Sequence, residues 1–148
     1  MIAKNKIFLL VLIVVMVVSL LIGCQAEKKK SVEELAKEVI QNNLKYIEEG
    51  NVDKYMSTMH PDSPVYERTE KVMEKVVETY DLDYKVKEAK VINKTKDEVQ
   101  VEVVQITKKI NGPQFRDNKT KAVHILRKND KGQWKIYNTK INNIEYLN

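Results

Sequence analysis

The hydrophobic pattern of the chain changes period near residue 81, and this change constrains the fold more than any other feature. Between residues 31 and 80, apolar residues recur every three or four positions; after residue 81, they alternate with polar residues. A period of 3.6 predicts amphipathic helices, whereas a period of two predicts strands that bury one face. Helices followed by a run of strands are typical of an α+β domain, with helices packed on one face of a curved antiparallel sheet.

The first predicted helix has clear signals at both ends. Ser31 can cap the first turn, and Glu34 three residues later completes a capping box. Gly50 suits the left-handed position that follows a helix. The helix between them carries one apolar stripe, made of Val32, Leu35, Ala36, Val39, Ile40, Leu44 and Ile47.

Two further helices are predicted before the strands. Asn51 can cap a short second helix, and a loop with two prolines follows it. Ser63 and Pro64 form an N-cap and first-turn pair, which predicts that the third helix starts there and ends near Asp81. Its apolar stripe comprises Val65, Thr69, Val72, Met73, Val76, Val77 and Tyr80.

About four strands are predicted after the change of period, joined in sequence order by polar turns. The alternation slips at Lys87 and Glu88, which indicates a β-bulge in the first strand. The apolar residues Ile144, Tyr146 and Leu147 close the sequence, and we expect them to be buried. The strands are expected near residues 82–91, 99–106, 119–128 and 133–141.

A long apolar run precedes the domain. Lys4 and Lys6 come first, and residues 7–22 are apolar except for Ser19. This length is near the lower limit for a helix that crosses ~30 Å of hydrocarbon, so both a signal peptide and an uncleaved membrane anchor are compatible with it. Either interpretation places the rest of the chain outside the cytoplasm, because positively charged flanks stay inside.

The end of the run favours the signal peptide. Leu21-Ile22-Gly23-Cys24 resembles the lipobox of a bacterial lipoprotein, and Cys24 is the only cysteine in the chain. The resemblance implies that Cys24 carries fatty acids such as palmitate and begins the mature protein. No intramolecular disulfide is then available. We predict a signal peptide at residues 1–23, a lipidated cysteine and tether at 24–30, and one domain at 31–148.

The order of elements resembles the NTF2-like (cystatin-like cone) superfamily. The similarity lies in the long first helix, residues 49–56 (EGNVDKYM), His60-Pro61-Asp62, and the closing segment 132–136 (GQWKI). It implies a cone-shaped pocket between helices and sheet. Some members are lyases or isomerases, and many others only bind or dimerise. Small lipoproteins with this domain are common in Gram-positive bacteria, which implies a location on the outer face of the cell membrane.

Charge and motif content argue against several function classes. Residues 24–80 carry nine Lys and Arg against twelve Asp and Glu, a net of −3, whereas residues 81–148 carry fifteen against nine, a net of +6. These basic residues are not interleaved with stacking aromatics, so we expect no nucleic-acid partner. The chain has four glycines and no Gly-x-Ser-x-Gly, P-loop or Gly-x-Gly-x-x-Gly, which argues against nucleophilic hydrolases and nucleotide chemistry.

Three residues are weak candidates for catalysis. His60 lies near the carboxylate of Asp62 and could act as a general base, although the simpler interpretation is that His60 ends the second helix and Asp62 orders the turn. His124 is in phase with Ala122 and Leu126, and would point into the cone if that face is inward. Two histidines without metal-ligand spacing predict no metal, and we expect no cofactor.

We therefore predict a membrane-tethered, extracytoplasmic and non-catalytic binding domain. Its partner would be a small apolar ligand or an envelope protein. One alternative is a small-molecule lyase or isomerase that uses a pocket histidine or aspartate. Another is a dimeric structural subunit of a cell-envelope complex, with the sheet as the dimer face.

Overall fold

The computed structural model describes residues 30–147, so the predicted signal peptide, Cys24 and most of the tether lie outside the described residues. Within this range, three helices precede four strands, which confirms the predicted α+β order. No helix in the described range is long and apolar enough to span a bilayer. The elements are α1 (Val32–Glu48), α2 (Val52–Ser57), α3 (Tyr66–Thr79), β1 (Asp81–Lys94), β2 (Glu98–Asn111), β3 (Asn118–Lys128) and β4 (Trp134–Tyr146).

The predicted start and end signals of α1 are confirmed. The Glu34 amide donates to the Ser31 hydroxyl at 3.2 Å, and the Ser31 amide donates to the Glu34 carboxylate at 2.7 Å. Gly50 follows the helix with φ of 69°, a conformation that an L side chain rarely adopts. Asn51 caps α2 by accepting from the Lys54 amide at 2.9 Å. Local sequence therefore sets the boundary between α1 and α2.

The predicted start of the third helix is wrong. The helix begins at Tyr66, and Val65 stands at the N-cap position without a side-chain hydrogen bond. The Ser63 hydroxyl accepts from the Val65 amide at 3.3 Å and also donates to the Tyr137 carbonyl at 2.7 Å, which ties the loop to β4. The apolar stripe of α3 is also less covered than its spacing predicts, since no residue of this helix is fully buried.

The four strands form one antiparallel meander in the order β1-β2-β3-β4. The register of β1 on β2 shifts between Val86 and Glu88, which confirms the bulge predicted at that point. A second pair of shifts, between Lys121 and Ala122 and between Ile125 and Leu126, interrupts the pairing of β3 with β4. Bulges bend strands and increase their twist, so we expect the sheet to curve at these shifts.

The main core lies under α1 and α2. Val99, Val101 and Val103 on β2 point to one face and pack against α1. The loop after α2 is joined to β4, because the His60 amide donates to the Ile136 carbonyl at 2.8 Å and the Ile136 amide to the Thr58 carbonyl at 2.9 Å. The remaining members of the cluster are Ala36, Ile40, Met56, Met59, Leu126, Trp134 and Ile136.

The last strand is longer and more exposed than predicted. It continues to Tyr146, five residues beyond the expected end at residue 141. The expectation that the apolar end is buried is wrong for Ile144 and Tyr146, which are both exposed. Backbone pairing with the first residues of β3 holds this segment, and the guanidinium of Arg116 stacks over the Tyr146 ring at 4.0 Å.

Candidate functional site

A cavity of about 510 Å³ lies between α3, the end of α1 and the inner face of the sheet. Leu44, Ile47 and Met73 supply much of its apolar lining. Val72 and Ile141 also line it and are 46% and 62% exposed, so they mark an opening between α3 and β4. The volume falls within the ~300–1,000 Å³ typical of small-molecule pockets.

His124 lies on the inner face of β3 and lines this cavity. It is 8% exposed, and its Nδ1 lies 2.9 Å from the Thr139 hydroxyl on β4. Burial lowers the pKa of His124 to about 4, so the imidazole is neutral at neutral pH. Nε2 of His124 has no hydrogen-bond partner. Because every fully buried polar side-chain atom within residues 30–147 does have a partner, Nε2 is not fully buried and is open to the cavity that His124 lines.

Two tyrosines add hydroxyl groups to the lining. Burial raises the pKa of Tyr55, and a hydrogen bond with Asn43 partly offsets this. The Asn43 amide also donates to the Thr58 hydroxyl at 2.7 Å. Burial raises the pKa of Tyr84 to about 12, with further contributions from Tyr55 and Glu48. Both phenols are therefore protonated at neutral pH.

Arg68 is the one charged side chain among the described residues that line the cavity. It lies in the first turn of α3, next to Thr69 of the apolar stripe. Its guanidinium has no carboxylate partner within the described part of the chain. The Gln105 amide also faces the cavity, from the inner face of β2. These groups were not predicted, because their position depends on how α3 stands over the sheet.

His60 and Asp62 lie together, but they do not line the cavity that His124 lines. His60 is buried after the end of α2, so the expectation that it ends the helix is wrong, since α2 stops at Ser57. Its Nε2 donates to the Lys128 carbonyl at 3.2 Å, and its Nδ1 accepts from the Asp62 amide at 3.1 Å. Both ring nitrogens are therefore occupied by backbone groups.

The Asp62 carboxylate takes little part in this arrangement. Its side chain is 84% exposed and lies 4.0 Å from Nδ1 of His60. The His60 and Tyr137 rings pack in a T-shaped arrangement, with a centroid distance of 5.6 Å and an interplanar angle of 76°. These contacts match those of a histidine that fastens the loop after α2 to the sheet.

A smaller cavity of about 250 Å³ lies between the end of α1 and the start of β1. Glu48 lines it, and burial, with Asp83 nearby, raises the pKa of the Glu48 carboxyl. No group of three or more His, Cys, Asp or Glu among residues 30–147 is arranged to hold a metal ion. The absence of a metal stays a prediction for the whole chain.

Several solved structures share this fold. A putative aromatic ring hydroxylase from Novosphingobium aromaticivorans has a TM-score of 0.65 at 10% identity, over 78% of this chain and 92% of that one. A putative calcium/calmodulin dependent protein kinase II association domain from Xanthomonas campestris has 0.62 at 16% identity, over 78% and 90%. An NTF-2 like protein of unknown function from Shewanella oneidensis has 0.53 at 15% identity, over 71% and 93%.

At such identities the similarity shows the fold alone, and it confirms the predicted NTF2-like fold. No curated protein matches the chain. A family model described as the C-terminal domain of the anti-sigma-I factor RsgI9 matches residues 38–147, which is most of the chain and nearly all of the described domain. The chain therefore belongs to the family of RsgI9 C-terminal domains.

Proposed function

We propose that this domain is a non-catalytic binding module, anchored to the outer face of the cell membrane by lipid on Cys24. The observation that carries the proposal is the cavity of about 510 Å³, which combines an apolar lining with a few inward polar groups. This combination is typical of sites that bind small molecules. The domain would hold its ligand close to the membrane, because the seven residues of the tether reach about 25 Å at most.

The ionisable groups of the lining support binding without catalysis. General acid–base catalysis is most efficient when the catalytic pKa lies near the working pH. Burial lowers the pKa of His124 to about 4 and raises the pKa of Tyr84 to about 12, so both values lie far from neutral pH. No carboxylate lines the cavity within the described residues, so no negative charge there would raise the pKa of His124 back toward neutral pH.

A small-molecule lyase or isomerase remains the second candidate. The open Nε2 of His124 favours it, since a base in such a fold must face the cavity. His60 does not support it, because backbone groups occupy both of its ring nitrogens. The enzyme hypothesis therefore depends on His124.

The family name is consistent with a regulatory binding role. RsgI9 is described as an anti-sigma factor, a class of protein that regulates transcription, and this chain resembles its C-terminal domain.

Native mass spectrometry of the full chain, released from its own membrane, tests the proposal. We expect one small-molecule adduct per domain on the wild type and none on Met73→Trp, whose larger side chain fills the cavity. Met73 lies on α3, which has no fully buried residue, so the change should not prevent folding. Lys75 lies on the same helix but does not line this cavity, so the Lys75→Trp variant should keep the adduct. Absence of an adduct, or its equal presence on Met73→Trp, would contradict the proposal.

The anchor has a separate test. Cys24→Ser should abolish incorporation of a fatty acid probe and block processing of the signal peptide, because the lipobox cysteine is the acylated residue. Equal labelling of the mutant and the wild type would show that the lipid is not on Cys24.

A further inference from the structure

We infer that the cavity selects a small organic anion, with one carboxylate held at Arg68 and an apolar body seated between α3 and the sheet. This inference rests on the proposed binding function and adds the chemical class of the ligand. An apolar body of about two fused rings would suit the volume of about 510 Å³ while leaving room to enter between Val72 and Ile141.

The charge of the lining carries the inference. Arg68 is the one cationic side chain that lines the cavity within residues 30–147, and no acidic side chain there opposes it. Glu67 and Glu70 flank it on α3 but do not line the cavity. A guanidinium binds a carboxylate through two parallel hydrogen bonds, which gives both strength and orientation.

The polar groups deeper in the cavity add to its selectivity for a singly charged anion. His124 is neutral at neutral pH, and its open Nε2 can form one hydrogen bond without adding a charge. The Gln105 amide and the Tyr84 hydroxyl are neutral as well. The cavity therefore offers a single positive charge at its edge and neutral partners inside, which fits a monoanion better than a dianion or a cation.

Most of the lining is apolar, which limits the rest of the ligand. Leu44, Ile47, Val72, Met73 and Ile141 surround the space between Arg68 and the sheet. A strongly hydrated ligand such as a sugar would lose water to these side chains and recover only part of its hydrogen bonds from the polar groups of the lining. The body of the ligand should therefore be an aromatic or aliphatic group.

A matched pair of probes tests the inference. The full chain is reconstituted in nanodiscs of neutral phosphatidylcholine and dialysed to equilibrium against 2-naphthoate or the uncharged 2-naphthamide, with empty discs as the blank. We expect the naphthoate to bind about tenfold more tightly than the amide. Arg68→Gln should remove this difference, and Arg68→Lys should restore part of it. Lys71→Gln removes one charge from the same helix outside the cavity and should leave the difference intact.

The outcomes separate the ligand class from the binding function. Equal affinity for both probes in the wild type, lost in Met73→Trp, would overturn the selectivity for anions and leave cavity binding standing. An unchanged preference in Arg68→Gln would overturn the role of Arg68. Failure of both probes to bind would also overturn the inference, while the native adduct would still decide the proposed function.

Discussion

The first and the last residues of β4 have very different surroundings. At the start, Trp134 and Ile136 are buried in the main core, and the loop after α2 is hydrogen-bonded to the strand. At the end, Ile141 and Ile144 are exposed, and the strand is held mainly by its pairing with β3. One strand therefore contributes both to a closely packed region that stabilises the fold and to an open region that lines the cavity.

The two histidines follow the same division. His60, in the packed region, uses both ring nitrogens for backbone contacts. His124, in the open region, uses Nδ1 for Thr139 and keeps Nε2 for the cavity. Burial alone does not distinguish them, since both are nearly covered; the difference lies in which ring atoms already have partners.

Replacing Trp134 tests the packed region and should give the largest effect. Trp134→Ala should lower the free energy of unfolding by about 3–5 kcal/mol, because it removes a large buried ring from the core. Ile144→Ala, in the open half of the same strand, should change it by less than about 1 kcal/mol. Denaturant unfolding of both variants measures the difference, and equal effects would show that the two halves of β4 are not distinct.

Stability should depend on pH through His124. Its pKa is about 4 in the folded protein against 6.5 in the unfolded chain, so the unfolded state binds more protons between these values. Stability should therefore be fully present above about pH 6.5 and fall by about 3 kcal/mol as pH drops to 4. His124→Gln should lack this loss. Parallel unfolding curves for the two proteins across the window would mean that His124 is not buried as described.

Replacing His60, which also lies in the packed region, should lower the free energy of unfolding by less than Trp134→Ala does. His60→Ala leaves the Lys128 carbonyl and the Asp62 amide without their partner, so we expect a loss of about 1–3 kcal/mol. Asp62→Ala keeps the backbone amide that donates to His60 and should cost less than about 0.5 kcal/mol. If thermal denaturation shows the larger loss for Asp62→Ala, the carboxylate matters more than its exposure indicates.

The sequence was sufficient where the interactions are local. The capping box of α1, the Gly50 ending and the bulge near Lys87 depend on neighbours in the chain, and all three are confirmed. The start of α3 was missed by two residues, and the hydrogen bond from the Ser63 hydroxyl to a carbonyl on β4, 74 residues away, is a contact that no local pattern shows. The length of β4 was missed because it follows from pairing with β3 rather than from its own pattern.

The candidate site was harder to predict than the fold. The phase of β3 identified His124 as inward only if the helices lie on that face, and the structure places it in the cavity. Arg68 borders the apolar stripe of α3, which is the one local signal that could have pointed to it. The cavity itself exists because α3 is not fully packed on the sheet, and no local pattern encodes that spacing.

The central claim is that the open region binds a ligand without transforming it, and His124→Ala tests this most directly. The variant is expressed in a strain that lacks the protein, at matched protein level, and its small-molecule adduct is measured by native mass spectrometry. We expect His124→Ala to fold, to keep the adduct with an affinity lowered by the loss of one hydrogen bond, and to restore the biological role, as should folded His60→Ala. A folded His124→Ala protein that keeps the adduct yet behaves like the deletion would contradict the claim and identify His124 as the base of an enzyme.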